Sequence, residues 1–232
     1  DYFNKIDILN DKLKTYTHLK KKKLDNFFWK SVKNYDEILK TIKKKKNIES
    51  FVLKTSNDRG SRNIFYINNY KFFDFEKNRI TKTVFKKCIK NINNSVPFIL
   101  METFKPPVFD IDILTWKGKL LKIVQRKRIN SDNPNLGHEI VSDKKILKLC
   151  SQLTNEFDLT WIYDCDVMFN KFDEPCLLEI NPRKSGSLTI SLMAKINLID
   201  DLVSLVLKKK TIRSKTIKKG IFVPYKSMIH IK

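Results

Sequence analysis

A mixed α and β chain is expected from three observations. The 232 residues suffice for one large domain or two small lobes, and no repeat or low-complexity linker divides them. Before residue 97 the apolar residues of several segments recur at helical spacing, with Lys on the outer face. From Val96 onward short apolar runs and period-two alternation dominate, punctuated by turn residues, which is the texture of a β-rich region.

Residues 10–24 and 35–46 read as helices. Asp36 and Glu37 open the second, where carboxylates suit the positive end of the helix dipole. Phe51-Val52-Leu53-Lys54 reads as a short apolar strand ending in a lysine, followed by a polar loop over 55–63 and a second strand over 64–67. Residues 79–93 read as a helix. Residues 97–102 are apolar, 109–114 alternate, and Trp116-Lys117-Gly118-Lys119 is a turn leading into a strand at 120–124. Residues 143–156 have helical periodicity. Residues 161–169 and 176–180 form a hairpin around Lys171-Phe172-Asp173-Glu174. A helical stretch over 187–209 and a strand over 220–223 close the chain.

Composition excludes several classes. Hydrophobic residues make up 41% and aromatics 11%, too much apolar surface for a disordered chain. No apolar run reaches the length of a membrane span, and the start is not a signal peptide. A soluble, cytoplasmic protein is the expectation, and the start at Asp1 reads as that of a fragment lacking an N-terminal part. Cys88, Cys150, Cys165 and Cys176 are scattered without a CxxC pair, which argues against a zinc site or a disulfide framework. The net charge of +22 favours anionic partners. Much of it comes from Lys runs at 20–23, 43–46 and 208–210, in stretches also rich in Asn and Ile. Those residue types share AT-rich codons, and Arg, the better base reader, is scarce beside Lys. Compositional bias is therefore favoured over nucleic-acid binding.

The chemistry concentrates in the 161–180 hairpin. Side chains alternate faces along a strand, so Asp164 and Asp166 share one face, as do Glu179 and Asn181 on the return strand. A turn centred on Phe172-Asp173 sets Asn170 opposite Pro175, Asp166 opposite Glu179 and Asp164 opposite Asn181. Carboxylates facing each other across a ladder destabilise it unless a cation lies between them. Mg²⁺, which takes hard oxygen ligands, fits, and a following Arg can meet phosphate oxygens. The alternative at this point is a solvated strand face neutralised by Lys.

The string Leu177-Leu178-Glu179-Ile180-Asn181-Pro182-Arg183, followed by Lys184-Ser185-Gly186, resembles the ATP-grasp superfamily, most closely the branch related to carbamoyl phosphate synthetase and amino-acid ligases. The resemblance implies that Asp166, Glu179 and Asn181 bind Mg²⁺ (Mn²⁺ as a substitute) and that Arg183 contacts ATP phosphates. Further matches follow in order over residues 10–207. Asn10-Asp11-Lys12 resembles the entry motif, implying a phosphate contact for Lys12. Lys54 ends the strand whose lysine reaches the nucleotide, and Asp58-Arg59-Gly60-Ser61-Arg62 resembles the phosphate-covering loop, implying ATP contacts for Arg59, Gly60 and Ser61. Leu100-Met101-Glu102-Thr103-Phe104 resembles the hinge where Glu102 meets the adenine. Asp112, Arg126 and Arg128 match positions on the phosphate and substrate side, with Arg128 and Arg183 in catalytic roles. Two departures stand out: the phosphate loop holds a single Gly, and the ribose-holding acid of relatives falls at Val108 or Phe109, with Asp110 the nearest substitute.

The resemblance implies an α+β, two-lobed ATP-grasp fold with nucleotide between the lobes, divided as residues 1–97 and 98–232. It implies an ATP- and Mg²⁺-dependent ligase that joins a small-molecule carboxylate to an amine through an acyl phosphate. The alternatives are an ATP-grasp kinase acting on a small molecule and a basic nucleic-acid-binding module with a vestigial nucleotide site.

Overall fold

The computed structural model describes residues 2–56, 63–92, 97–208 and 217–225. The expected phosphate loop, Arg59, Gly60 and Ser61, lies outside the described residues. The chain forms two compact units, essentially Asp7–Phe104 and Lys105–Lys232.

The first unit contains α2 (Lys12–Lys21), after α1 (Tyr2–Leu9), then β1 (Trp29–Val32), α3 (Tyr35–Lys44), β2 (Ser50–Thr55), β3 (Phe65–Asn68), β4 (Lys71–Phe73), β5 (Arg79–Ile80), α4 (Lys82–Ile92) and β6 (Phe98–Glu102). Its described strands form an antiparallel sheet ordered β1-β6-β2-β3-β4-β5. Period two divides β2 cleanly. Phe51 and Leu53 point into a core with Ile38 and Ile42 of α3 and Phe85 and Ile89 of α4, while Lys54 points to the other face, against Tyr16 of α2. The boundary expected after residue 97 falls after Phe104 instead, because β6 is hydrogen-bonded between β1 and β2.

The helix expected over 10–24 begins at Lys12, since the Asp11 carboxylate caps it, accepting from the amides of Leu13 at 2.8 Å and Lys14 at 3.1 Å. Residues 79–80 are strand rather than helix, and α4 starts after Thr81, whose hydroxyl accepts from the Val84 amide at 3.2 Å. The strand at Trp29–Val32, too short for a periodic signal, is made by its pairing with β6.

The second unit contains β7 (Lys105–Trp116), β8 (Lys119–Arg128), β9 (His138–Val141), α5 (Lys144–Glu156), β10 (Trp161–Phe169), β11 (Pro175–Asn181), α6 (Leu188–Met193), α7 (Leu198–Val206) and β12 (Gly220–Phe222). The described strands form an antiparallel sheet ordered β11-β10-β7-β8-β9-β12. Lys117 and Gly118, at φ 49° and 71°, make the tight turn between β7 and β8, where a Cβ on Gly118 would lie 2.8 Å from Asp158 Oδ1. The helical stretch expected over 187–209 is broken between α6 and α7, where Lys195 takes φ 68° and Asn197 caps α7.

One face of this sheet decides the site. Leu114, Val124 and Ile162 lie under α6 and α7, in a core with Ile190, Leu198 and Leu202. Two residues further along the same face stand Asp112, Arg126 and Asp164, then Asp110, Arg128 and Asp166. The face therefore changes from apolar to ionic along the strands, with Asp112 and Arg126 still fully buried beside the start of α6.

Candidate active site

The β10–β11 ladder pairs Asp166 with Glu179 and Asp164 with Asn181, as expected, but not by the expected route. The turn holds Asn170 against Glu174, through Asn170 N to Glu174 O at 3.0 Å, and not against Pro175. Continued regularly, that register would set Glu179 opposite Cys165 and on the other face. A bulge at Leu178 adds one residue between the Val167–Leu177 pair and the Asp166–Glu179 pair, returning Glu179 and Asn181 to the aspartates' face.

On that face the charges are unequally partnered. Asp110 receives Arg128 Nε at 2.9 and 3.0 Å, a contact from Arg128 Nη2, and His138 Nε2 at 2.6 Å. Burial alone would raise its pKa, but His138 and Arg128 outweigh that and hold the carboxyl well below the ordinary range. Arg128 Nη2 also reaches Asp166 Oδ2 at 3.1 Å. Burial and then the charge of Asp110 nevertheless push the Asp166 carboxyl well above its usual value. Burial, Asp112 and Asp110 push Asp164 up to about 7, against the opposing pull of Arg126 and Arg183. Asn181 Nδ2 donates to Glu179 Oε1 at 3.1 Å, leaving its own oxygen without a hydrogen bond among the described residues. Two carboxylates and an amide oxygen, crowded by further acids, form a donor set suited to a hard divalent cation. Among the described residues no three His, Cys, Asp or Glu side chains converge as a complete cage, so water and phosphate oxygens would supply the remaining ligands.

The structure separates Arg126 from Arg128. Arg126 is fully buried. It donates to Ser187 O at 3.0 Å, to the Ser187 hydroxyl, and to Ser185 Oγ at 3.0 Å, and its Nη2 lies 2.9 Å from Asp112 Oδ1. Asp112 in turn accepts from Ser191 Oγ at 2.6 Å. This buried set ties the segment after β11 and the start of α6 to the sheet. Asp112, expected among the ATP contacts, thus has no accessible surface. Asp110, the nearest substitute for a ribose-binding acid, is already occupied by Arg128 and His138. Arg183 is the opposite case: its side chain is 54% exposed, with Nη1 only 3.7 Å from Asp164. Sequence reasoning missed His138, Ser187 and Ser191, because a lone His in a four-residue strand and scattered serines carry no spacing signal.

In the first unit, Lys54 Nζ donates to the Tyr16 hydroxyl at 3.0 Å and lies 5.3 Å from the ring centroid, nearly buried. The Lys12 amide donates to Ser56 O at 3.3 Å, fastening the start of α2 beside the end of β2. Lys12 and Lys54 are thereby brought to one end of β2. Glu102 lies at the other end, paired with Phe51, its Oε1 accepting from the Phe28 amide at 2.7 Å.

The fold is shared with solved structures. Carboxyaminoimidazole ribonucleotide synthase from Aspergillus clavatus, complexed with ATP, matches with TM-score 0.71 at 16% identity, over 94% of this chain and 56% of that one. Biotin carboxylase from Campylobacter jejuni gives 0.69 at 12%, over 93% and 50%. L-amino acid ligase from Bacillus licheniformis gives 0.62 at 14%, over 89% and 49%. The chain thus spans about half the length of these structures. No curated protein sequence matches it. Residues 94–228, more than half of the chain, match the sequence profile of a family described as "ATP-grasp in the biosynthetic pathway with Ter operon". The chain belongs to the ATP-grasp family.

Proposed function

We propose that this chain carries the nucleotide-binding and phosphoryl-transfer part of an ATP-dependent carboxylate–amine ligase. The observation that carries the reading is the placement of Asp166, Glu179 and Asn181 on one sheet face beside Arg128 and Arg183. In this reading Asp166, Glu179 and Asn181 hold Mg²⁺ (Mn²⁺ as a substitute), which supplies charge neutralisation at the phosphates of ATP. Arg128 is positioned by Asp110 to present cationic charge beside Asp166, and exposed Arg183, whose Nη1 donates to Lys184 O at 3.0 Å, turns from that contact onto a phosphate. Lys12 and Lys54, with Arg59, Gly60 and Ser61, bind the phosphates, and Glu102 orients the adenine. The γ-phosphate passes to a carboxylate oxygen, giving an acyl phosphate and ADP. An amine attacks the acyl carbon, and phosphate leaves as the amide forms.

The test combines titration of ATP with Mg²⁺ into the wild type and Glu179→Gln with ADP release measured over a panel of carboxylates with and without amines. Metal-dependent ATP binding lost in Glu179→Gln, with turnover requiring both substrate classes, is the expected result. Equal binding and turnover in the two proteins would overturn the metal assignment. Sustained turnover with an alcohol and no amine would replace the ligase by a kinase.

A further inference from the structure

On the helix-covered side of the first unit's sheet, at its β4–β5 edge, is a cavity of about 540 Å³ lined in part by Tyr35, Tyr70, Lys71, Arg79 and Lys82. Lys54 lies on the opposite face of this sheet, against Tyr16, so it does not line the cavity.

Three features of the cavity point to a ligand. Its cations are uncompensated: Lys71, Arg79, Lys82 and neighbouring Lys86 are exposed, and among the described residues none of them forms a salt bridge with a carboxylate. Lys86 and Lys82 instead sit 4.7 and 5.7 Å from the centroid of Tyr35. That ring is fixed from behind by Phe72 at 6.2 Å and Phe85 at 6.0 Å. Like charges gathered around one concavity repel one another, a cost that an anion relieves. The second feature is Tyr70. It occupies the second position of the β3–β4 turn, with Asn69 and Tyr70 at φ 46° and 60°. Glycine is strongly preferred in such a turn, and a bulky aromatic in the left-handed region carries strain. Tyr70 is nonetheless 53% exposed and lines the cavity. The third feature is α4, whose first turn, from Thr81 and Lys82, opens on the same space and adds the positive end of its dipole.

We infer that this cavity binds a nucleoside phosphate, with the base against the exposed Tyr70 ring and the phosphate among Lys71, Arg79, Lys82 and Lys86. Its volume falls within the range of small-molecule sites and suits one nucleotide rather than a polymer track. The site stands independently of the ligase reading.

The experiment titrates guanosine and uridine 5′-monophosphates into the full chain carrying Glu179→Gln and Lys54→Met, which removes two of the proposed ATP contacts, followed by tyrosine fluorescence. The same titration is made with Arg79→Ala/Lys82→Ala and with Tyr70→Gly added, and with inorganic phosphate and oligouridylate as separate ligands. At least tenfold weaker nucleotide binding in the Arg79→Ala/Lys82→Ala variant is expected. Tyr70→Gly should bind more weakly while melting at a higher temperature, since the strained turn is relieved. Binding unchanged by these substitutions would overturn the site, as would phosphate binding as tightly as the nucleotides. Affinity rising steadily with oligouridylate length, with no detectable mononucleotide binding, would replace the site by a polyanion surface.

Discussion

Asp166 faces Glu179 across the β10–β11 ladder because Leu178 is bulged out between that pair and the hairpin turn. The bulge returns Glu179 to the sheet face that holds Asp166 and Asp110, where Asp110 takes both Arg128 and His138. Burial and the charge of Asp110 therefore disfavour the ionised form of Asp166, against the pull of Arg128.

Replacing it tests that balance. Asp166→Asn keeps the shape and removes a partly buried carboxylate whose ionised form is opposed by desolvation and by Asp110. The ligand-free variant should be more stable than wild type by about 1 kcal/mol, or roughly 2–4 °C in melting temperature for a chain of this size. Addition of Mg²⁺ and ATP should raise the wild type's melting temperature and leave the variant's unchanged. A less stable ligand-free variant would mean that the Arg128 contact outweighs the repulsion.

The same electrostatics predict a pH dependence. Asp164 has its folded pKa raised to about 7 and Asp166 is raised too. Folding therefore takes up protons, so their contribution is fully present below the unfolded carboxylate value and is lost as pH rises through about 7. Asp110 is shifted the other way, so its contribution is present above the unfolded value and lost as pH falls below it. The melting temperature of the ligand-free protein should fall between pH 6 and pH 8, on the order of several degrees. Asp164→Asn should flatten that decline. A melting temperature that rises over the same window would contradict the burial of these acids.

Arg126 and Asp112 form a fully buried ion pair beside Ser185 and Ser187. Arg126→Met alone leaves the Asp112 charge stranded and should cost about 3–5 kcal/mol in denaturant unfolding. Adding Asp112→Leu should recover most of it. The double variant should still lose ATP binding, because the segment from Ser185 to Ser187 has lost its tether to the sheet. Restored binding would show that the tether is dispensable.

Gly118 tests the scaffold apart from the site. Its φ is 71°, a left-handed conformation that strains any residue with a Cβ, and a Cβ added there would also displace the Asp158 carboxylate, 2.8 Å away. Gly118→Ala should destabilise by about 1–2 kcal/mol and leave the ATP Kd unchanged when measured below the melting transition. A change in Kd would show that the turn influences the site.

The sequence was most legible where one short stretch carries the chemistry. Glu179, Asn181 and Arg183 fall within a single strand end, and alternation alone places the first two on one face. Helices with a strong apolar face, such as Tyr35–Lys44 and Lys144–Glu156, were recovered nearly to the residue, because their periodicity is local. Strands of two to four residues, such as Arg79–Ile80 and Trp29–Val32, were not, since a strand that short exists only through its partner. The register of the carboxylates was foreseen through a turn the protein does not make, the bulge compensating for the difference.

Local pattern thus settled the mixed α and β character, the main helices and the acidic hairpin, all of which follow from residue order and side-chain alternation. Tertiary structure decided the rest. It chose Asp110 to take both Arg128 and His138, buried Asp112 under Arg126 and Ser191, and left Asp164 and Asp166 short of partners. Those assignments depend on which strands are neighbours and on how α6 lies against the sheet. The physical reason is that a charge's pKa and its availability for a ligand follow from burial and spatial neighbours, which residue order does not specify.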